Sequence, residues 1–530
     1  MKKRFLLVLL ALLPLFSAST RLCGYSFYSR IDPYPVFTSA NPYGSFTHFE
    51  DCEQAYRVRV SFSGFRQNAW RAGAYHDEIY YNQLNITPNP KSMTSPDEVE
   101  LGDMLGKWNI LGLFYQETDG STTFLTTNPQ LVKPNVSIQS VLTQKINAVD
   151  PAAPTDAFDS AYYSPDKFDG NLGVASVPLS YRKYGGRFEM DFCSCFDFGA
   201  MLNLSFAQAQ QCPMSPPALI GVTPTQTSPS IFIDQSSASS DAKKADVSKA
   251  FMSCDKIKKM AEALGYSINP FCDSDIESCT LSVYWRHCFE TNYPPNNPEK
   301  TGYPWITVTP FIVAEATPFT GKKKPTDMLF GIPFGNGGHF SYGLMGGLTI
   351  NFLETVLVGF DAGVTAFSRE GYHNWPVPTH CLQAGIFPRR ADISIEPGNN
   401  WCTGAGFWAN HFLDNFSASV QMRYVHHCKD TIEIMQVDPI AVPKDAWYPD
   451  KPGEANPPVK DVITADNFVA ESIAIPKMEC ESCFSTFMVN SALTYDISQN
   501  LQLGIFWQAP VRQRYAYRPT TVMGSFVLSF

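Results

Sequence analysis

The sequence predicts an all-β protein, a transmembrane antiparallel β-barrel of about 16 strands, with long outer loops and a short helix in one of them. Three observations predict it. Apolar and polar residues alternate through many segments, as they do on the two faces of a strand. The connections between these segments alternate short and long. Beyond the first residues, no run approaches the roughly 18 consecutive apolar residues that mark a membrane-spanning helix.

At the amino terminus, Lys2, Lys3 and Arg4 precede the apolar run Phe5 to Phe16 and the small residues Ser17-Ala18-Ser19. A basic region, a short apolar region and a small-residue site describe a secretory signal peptide. The expected organisation is therefore a signal peptide over 1–19 and one barrel domain over 20–530. The formal charge of −10 becomes −13 without those three cations. That argues against a nucleic-acid partner, which needs a basic face. Aromatic content of 14%, with 39 Phe and 24 Tyr, suits the interfacial girdles of a membrane barrel.

The strands are read back from the carboxyl end. Val522, Gly524, Phe526, Leu528 and Phe530 share one face, and Thr521, Met523, Ser525, Val527 and Ser529 the other. A terminal Phe on the apolar face resembles the sorting signal of outer-membrane barrels. Alternation recurs over 501–509, 487–495 and 416–424, and most cleanly in a hairpin over 339–369. The longest alternation, Phe188 to Phe206, reads as a single strand. Shorter examples are Tyr56 to Ser63 and Leu281 to Arg286, and Tyr25 to Thr38 is expected to supply the first strand.

Turns near 496–500, 413–415, 353–354 and 183–186 are short, whereas 430–484, 370–402, 317–338 and 207–278 are long and rich in Pro, Asn, Asp and Ser. Short periplasmic turns against long outer loops is the bacterial barrel arrangement. Within 207–278, Val247, Phe251, Cys254, Ile257, Met260 and Leu264 recur near a helical period, which predicts the loop helix.

With the apolar face outward, the opposite face lines the lumen. It carries Arg57, Arg59, Arg286 and Arg423 with Glu189, Asp191, Glu315 and Asp361. Charges there are solvated and set the field that ions meet, whereas on the lipid face they are costly. The other reading of any one of them is an ordinary solvated residue at a strand end.

Fourteen cysteines in an exported chain imply an oxidising compartment. Cys212, Cys254, Cys272 and Cys279 lie in or beside loop 207–278, Cys381 and Cys402 bracket most of 370–402, and Cys428, Cys480 and Cys483 flank the next loop. Disulfides stapling the loops are the natural reading, with pairing between molecules as the sharper alternative. Cys193 and Cys195 share a face two residues apart, at the upper limit of disulfide reach. His426-His427-Cys428 with the single Cys480-x-x-Cys483 is a weak zinc signature, and no metal or other cofactor is expected.

No H-E-x-x-H, G-x-S-x-G or G-x-x-x-x-G-K-[ST] motif occurs, and Gly335-Asn336-Gly337-Gly338 enters a strand and not a helix. An enzyme is not expected. The basic leader, the alternating strands, the ending Leu528-Ser529-Phe530 and the many cysteines resemble the chlamydial-type major outer membrane proteins. The resemblance implies a porin barrel held in a disulfide-linked envelope. Read together, the residues and the resemblance lead to an outer-membrane porin for passive diffusion of small hydrophilic solutes or ions. The alternative is a cysteine-bonded structural or adhesive surface protein. The expected partners are outer-membrane lipid and the barrel-assembly machinery, with self-association or disulfide-linked envelope proteins in the alternative.

Overall fold

A computed structural model describes residues 56–73, 98–100, 108–109, 174–176, 179–194, 197–213, 218–219, 265–291, 306–353, 355–377, 389–413, 415–437, 475–498, 500–514 and 516–530. The leader, the strand expected at Tyr25 to Thr38 and the helix expected over 247–264 lie outside them.

Twelve strands among the described residues close into an antiparallel barrel. They are β1 (Tyr56–Ala69), β2 (Leu179–Ser194), β3 (Phe198–Pro213), β4 (Phe271–Arg286), β5 (Ile306–Thr317) and β6 (Ser341–Phe352). The second half is β7 (Val356–Phe367), β8 (Asn400–Leu413), β9 (Phe416–His427), β10 (Phe484–Ser498), β11 (Leu501–Arg514) and β12 (Thr520–Ser529). Each strand pairs with its neighbours in chain order, and β12 returns to β1, from Asn68 opposite Thr520 to Arg59 opposite Ser529. The last residue completes the seam: Phe530 N–H donates to Val58 O at 2.8 Å, and Val58 N–H donates to Phe530 O at 3.1 Å.

Burial is inverted relative to a soluble protein. Phe62 is 50% exposed, Ile505 64% and Tyr342 57%, while Lys183 is 1% exposed. Along β6, Tyr342 and Leu344 face out while Ser341, Thr349 and Asn351 are buried. Exposed aromatic rings stand near both rims, with Phe198, Phe352, Phe416 and Tyr495 by the tight turns and Tyr342 and Trp401 by the long connections, and also in mid-strand at Phe62, Phe360, Phe407 and Trp507. Leu344, Val283 and Ile505 lie between. An apolar, aromatic-rich exterior around a polar interior is the surface of a membrane barrel.

The strand count corrects the expected 16, and two readings of the alternation are corrected with it. Alternation also occurs in a separate three-stranded sheet, Glu370–Val377, Arg389–Glu396 and Thr431–Val437, built from the loops at one rim. Its Tyr372, Trp375, Val377, Ile393, Ile395 and Ile432 pack with Met478 of a helix, Ile475–Ser482, so period-2 alternation there reports an ordinary core. The loop sheet is pinned to the barrel by His339, whose Nε2 lies 2.6 Å from Tyr372 Oη.

The second correction concerns 188–206, which is a hairpin of two strands and not one strand. β2 ends at Ser194 and β3 begins at Phe198, with three residues of chain between them. Even-numbered residues face out on both strands (Met190 and Phe192, then Phe198, Leu204 and Phe206), so the alternation runs through the turn unbroken. Asp197 takes a left-handed φ of 67°, which Asp tolerates better than most residues. The turn expected at 183–186 lies inside β2, where Gly185 lets the Phe206 carbonyl approach. A Cβ there would sit 2.0 Å from that oxygen.

The cysteines also differ from expectation. Cys212, Cys272, Cys279, Cys402 and Cys428, expected in disulfides, are free thiols, as are Cys193 and Cys288. Cys212 and Cys272 stand diagonally across β3 and β4, since Gln210 is the residue opposite Cys272. Diagonal neighbours are about 7–8 Å apart, beyond disulfide reach. Cys402 lies not in a loop but on the inward face of β8, opposite Gly363 and Val425. Burial pushes the Cys428 thiol above its ordinary range. Cys254, Cys381 and Cys195 and the side chain of Cys480 lie outside the described residues.

A lysine on the outward face tests this surface. Ile505→Lys, near mid-strand, is expected to lower the folding free energy in lipid vesicles by about 2–4 kcal/mol. Ile497→Lys, on the outward face at the turn end of the neighbouring strand, costs less. Equal losses in denaturant titrations would contradict the assigned band.

Candidate functional site, the barrel lumen

Because side chains alternate, every strand delivers its second residue to the interior. On β2 this places Lys183, Arg187, Glu189 and Asp191 in the lumen. Across the wall, Lys183 pairs with Glu277 of β4, which also accepts from Ser205 Oγ at 3.2 Å. Arg187 Nη1 lies 3.8 Å from Glu189, whose other oxygen accepts from Ser61 Oγ at 3.3 Å. Asp191 accepts from Tyr284 Oη at 2.9 Å and stands opposite Arg59. Arg286 donates to Cys193 Sγ at 3.1 Å.

A second group occupies the opposite arc. Arg423 of β9 donates to Asp361 of β7 at 2.8 Å, past β8 between them. Residue 404 of β8 must be small for this reach, since a Cβ on Gly404 would lie 2.4 Å from the Asp361 carboxylate. Glu315 of β5 accepts from Thr365 Oγ1 at 3.2 Å.

Seven of the eight predicted lumen residues therefore face the interior with described side chains: Arg59, Glu189, Asp191, Arg286, Glu315, Asp361 and Arg423. The side chain of Arg57 lies outside the described residues. Sequence reasoning missed Lys183 and Arg187, because 183–186 read as a turn, and Glu277, because it read as loop. The charges are matched cation to anion across neighbouring strands, so the wall carries local fields and little net bias.

Buried polar atoms without a protein partner include Asn203 Oδ1, both amide atoms of Asn351 and of Asn490, Gln508 Nε2 and Gln513 Oε1. Each belongs to an inward-facing strand residue. A buried polar group stays unpartnered at a cost of about 1–3 kcal/mol unless water or a solute reaches it. The lumen is thus built to hold water or polar solute.

One connection folds against the mouth. Residues 318–340 lie over the inward ends of β3 and β4, where Gln211 Nε2 donates to Phe330 O at 3.1 Å and the Phe334 ring packs on Phe271 at 6.5 Å. The segment is stitched to itself by Phe334 N–H to Lys322 O at 3.1 Å and Gly338 N–H to Thr320 O at 3.3 Å. Lys322 pairs with Asp273 at 2.9 Å, and Lys323 with Glu370 of the loop sheet at 3.3 Å. Leu329, Phe330 and Phe334 are buried, so the loop is packed and not draped over the rim.

No family model matches the chain, and no curated protein matches it, so the resemblance to chlamydial-type proteins rests on layout alone. Among solved structures, an outer membrane channel from Pseudomonas putida F1 is 6% identical, with 94% of this chain and all of that chain covered, at a TM-score of 0.39. The monoaromatic hydrocarbon channel CymD is 8% identical over 68% of this chain and 78% of its own, at 0.24. The β domain of the Bordetella autotransporter BrkA is 7% identical over 67% and 95%, at 0.25. Likenesses this low carry no argument about function, and the barrel assignment rests on the strand pairing itself.

Neutralising one partner should unmask the other. Asp361→Asn removes the anion bonded to Arg423 and is expected to move the reversal potential in a salt gradient towards anions, with Arg423→Gln moving it towards cations. Shifts of the same sign in both variants would refute the pairing as a determinant of the lumen field. Shortening 318–340 between Thr320 and Gly338 is expected to raise single-channel conductance severalfold, because it uncovers the mouth.

Proposed function

We propose that this chain is an outer-membrane channel for passive passage of small hydrophilic solutes. The observation that supports it best is the inverted burial: an apolar, aromatic-rich exterior around an interior of paired charges and unpartnered amides. A lipid-facing exterior has no use for a polar interior unless something polar occupies it.

Twelve strands imply a narrower passage than the expected 16 would. Barrel diameter grows with strand number, from about 8 strands, filled by side chains, to 16–18 strands with an open aqueous channel. Twelve falls between, and the charged side chains and the 318–340 loop occupy part of that space. The passage is accordingly a narrow one in which solutes meet the wall. Hydrolytic or redox chemistry is no part of this reading, and the cysteines enter it as lumen thiols: Cys193 beside Arg286, and Cys402 near the Asp361–Arg423 pair.

Refolded full-length protein in planar bilayers is expected to give discrete ion conductance, and a silent bilayer would sink the proposal. A small charged methanethiosulfonate added to open channels should lower the current irreversibly by reaching these thiols. The effect is expected to disappear in the Cys193→Ser, Cys402→Ser double variant. Persistence there would place the reactive thiol elsewhere.

A further inference from the structure

The register of the sheet places two unlike rows of side chains beside one another on the lumen wall. Gln421 of β9 is opposite Asn490, Asn490 opposite Gln508, Gln508 opposite Thr521, and Thr521 opposite Gln67 of β1. Five consecutive strands thus contribute an uninterrupted row of neutral amides and one hydroxyl, all buried and inward-facing. Part of the row is internally bonded, with Gln67 Nε2 donating to Thr521 Oγ1 at 3.0 Å and Thr521 Oγ1 to Gln508 Oε1 at 2.9 Å. Its remaining capacity is left open: both amide atoms of Asn490 and Nε2 of Gln508 have no protein partner.

Two residues along each strand towards the tight turns runs an apolar row. Phe65 of β1 is opposite Met523, Met523 opposite Phe506, and the same line continues through Ala492 and Ser419 to Trp408 and Leu357. Trp408 has a particular setting. A Cβ on Gly406 would lie 2.2 Å from its ring, and one on Gly359 would lie 3.0 Å from it, so the indole lies flat across two glycines of the wall. Those glycines occupy the amide row's own line on β8 and β7, since Gln421 is opposite Gly406 and Gly406 opposite Gly359. One face of the ring thus rests on backbone, and the residue as a whole is buried inside the barrel.

Strands in a barrel tilt about 35–45° to its axis, so a line that follows the cross-strand pairs climbs as it winds. The two rows are therefore parallel spiral tracks along the passage, one hydrogen-bonding and uncharged, the other apolar and aromatic. We infer that they form a subsite for a neutral polyhydroxylated solute, a sugar or short oligosaccharide. Such a molecule presents apolar C–H faces and a rim of hydroxyls that both donate and accept. Amides match that rim because each offers two donors and an acceptor, and flat apolar rings match the faces. Within the five residues of the row a carboxylate or ammonium solute would find no counter-ion, and the flanking Lys183 and Arg423 are already paired with Glu277 and Asp361. A purely apolar solute would leave the unpartnered amide atoms buried and unpaired.

The inference rests on the channel reading, and two measurements separate their fates. Maltotriose is titrated into the refolded full-length protein in detergent by calorimetry, and added to the same protein in planar bilayers under potassium chloride. Saturable binding and a graded, reversible fall in ion current are the expected results. Trp408→Ala and the Asn490→Leu, Gln508→Leu double variant are expected to raise the half-effective sugar concentration more than tenfold. Heat-modifiable migration on gels confirms that each variant is folded. Conductance without binding or block overturns the subsite and leaves the channel standing. Binding to a protein silent in bilayers supports the subsite and overturns the channel. Stronger block by triglutamate or trilysine than by maltotriose overturns the neutral-solute assignment.

Discussion

Everything in this molecule depends on one requirement: backbone N–H and C=O groups in hydrocarbon have no water to bond, so the sheet must have no open edge. The seam between β1 and β12 meets it, and the reciprocal hydrogen bonds between Val58 and Phe530 carry the pairing to the final residue. Once the sheet is closed, the pleat decides the rest. Each strand must offer one set of alternate side chains to lipid and the other to an interior, which is why Phe62 is exposed while Ser61 is buried. The same alternation that would build a core in a soluble sandwich here turns the molecule inside out.

Closure with twelve strands then sets how the interior can be filled. Ten ionisable lumen side chains would be untenable in a dry core, since an ion moved from water costs several kcal/mol even after relaxation. Here most have a counter-charge or a hydroxyl from a neighbouring strand, at distances such as 2.8 Å for Arg423 to Asp361 and 2.9 Å for Tyr284 to Asp191. Apart from Arg187 and Glu189, which share β2, the partners lie on adjacent or next-adjacent strands, so those pairs also fix register. A one-residue slip would carry these charges to lipid and the Phe and Leu residues into the lumen. Charge pairing inside and apolar burial outside thus select the same register.

Much of this was legible in the sequence. Period-2 alternation with an apolar set ending on Phe530 gave the fold class, the direction of each face and seven of the eight predicted lumen charges. What escaped did so for definable reasons. The turn between Ser194 and Phe198 preserves parity, so two strands read as one, and Lys183 and Arg187 were lost to a turn that Gly185-Gly186 imitates. The strands of the loop sheet alternate like barrel strands because a pleat has the same period whether its apolar face meets lipid or Met478. Cysteine spacing could not show that Cys212 and Cys272 stand diagonally or that Cys402 points inward. Those facts depend on register, a property of two strands at once.

The amide row shows the same limit from the other side. Gln67, Gln421, Asn490, Gln508 and Thr521 are scattered over more than 450 positions of chain, and each looks like an unremarkable polar alternate in its own strand. Only the pairing aligns them, and only the tilt of the strands turns that line into a path along the axis. Charged residues can be guessed as lumenal one at a time, because lipid forbids the alternative. A neutral amide is tolerated at the rim, in a turn or inside, so its meaning lies in its neighbours across the sheet. The specificity of a barrel of this kind is therefore written in its register, and strand count matters because it sets how closely a passing solute must follow that writing.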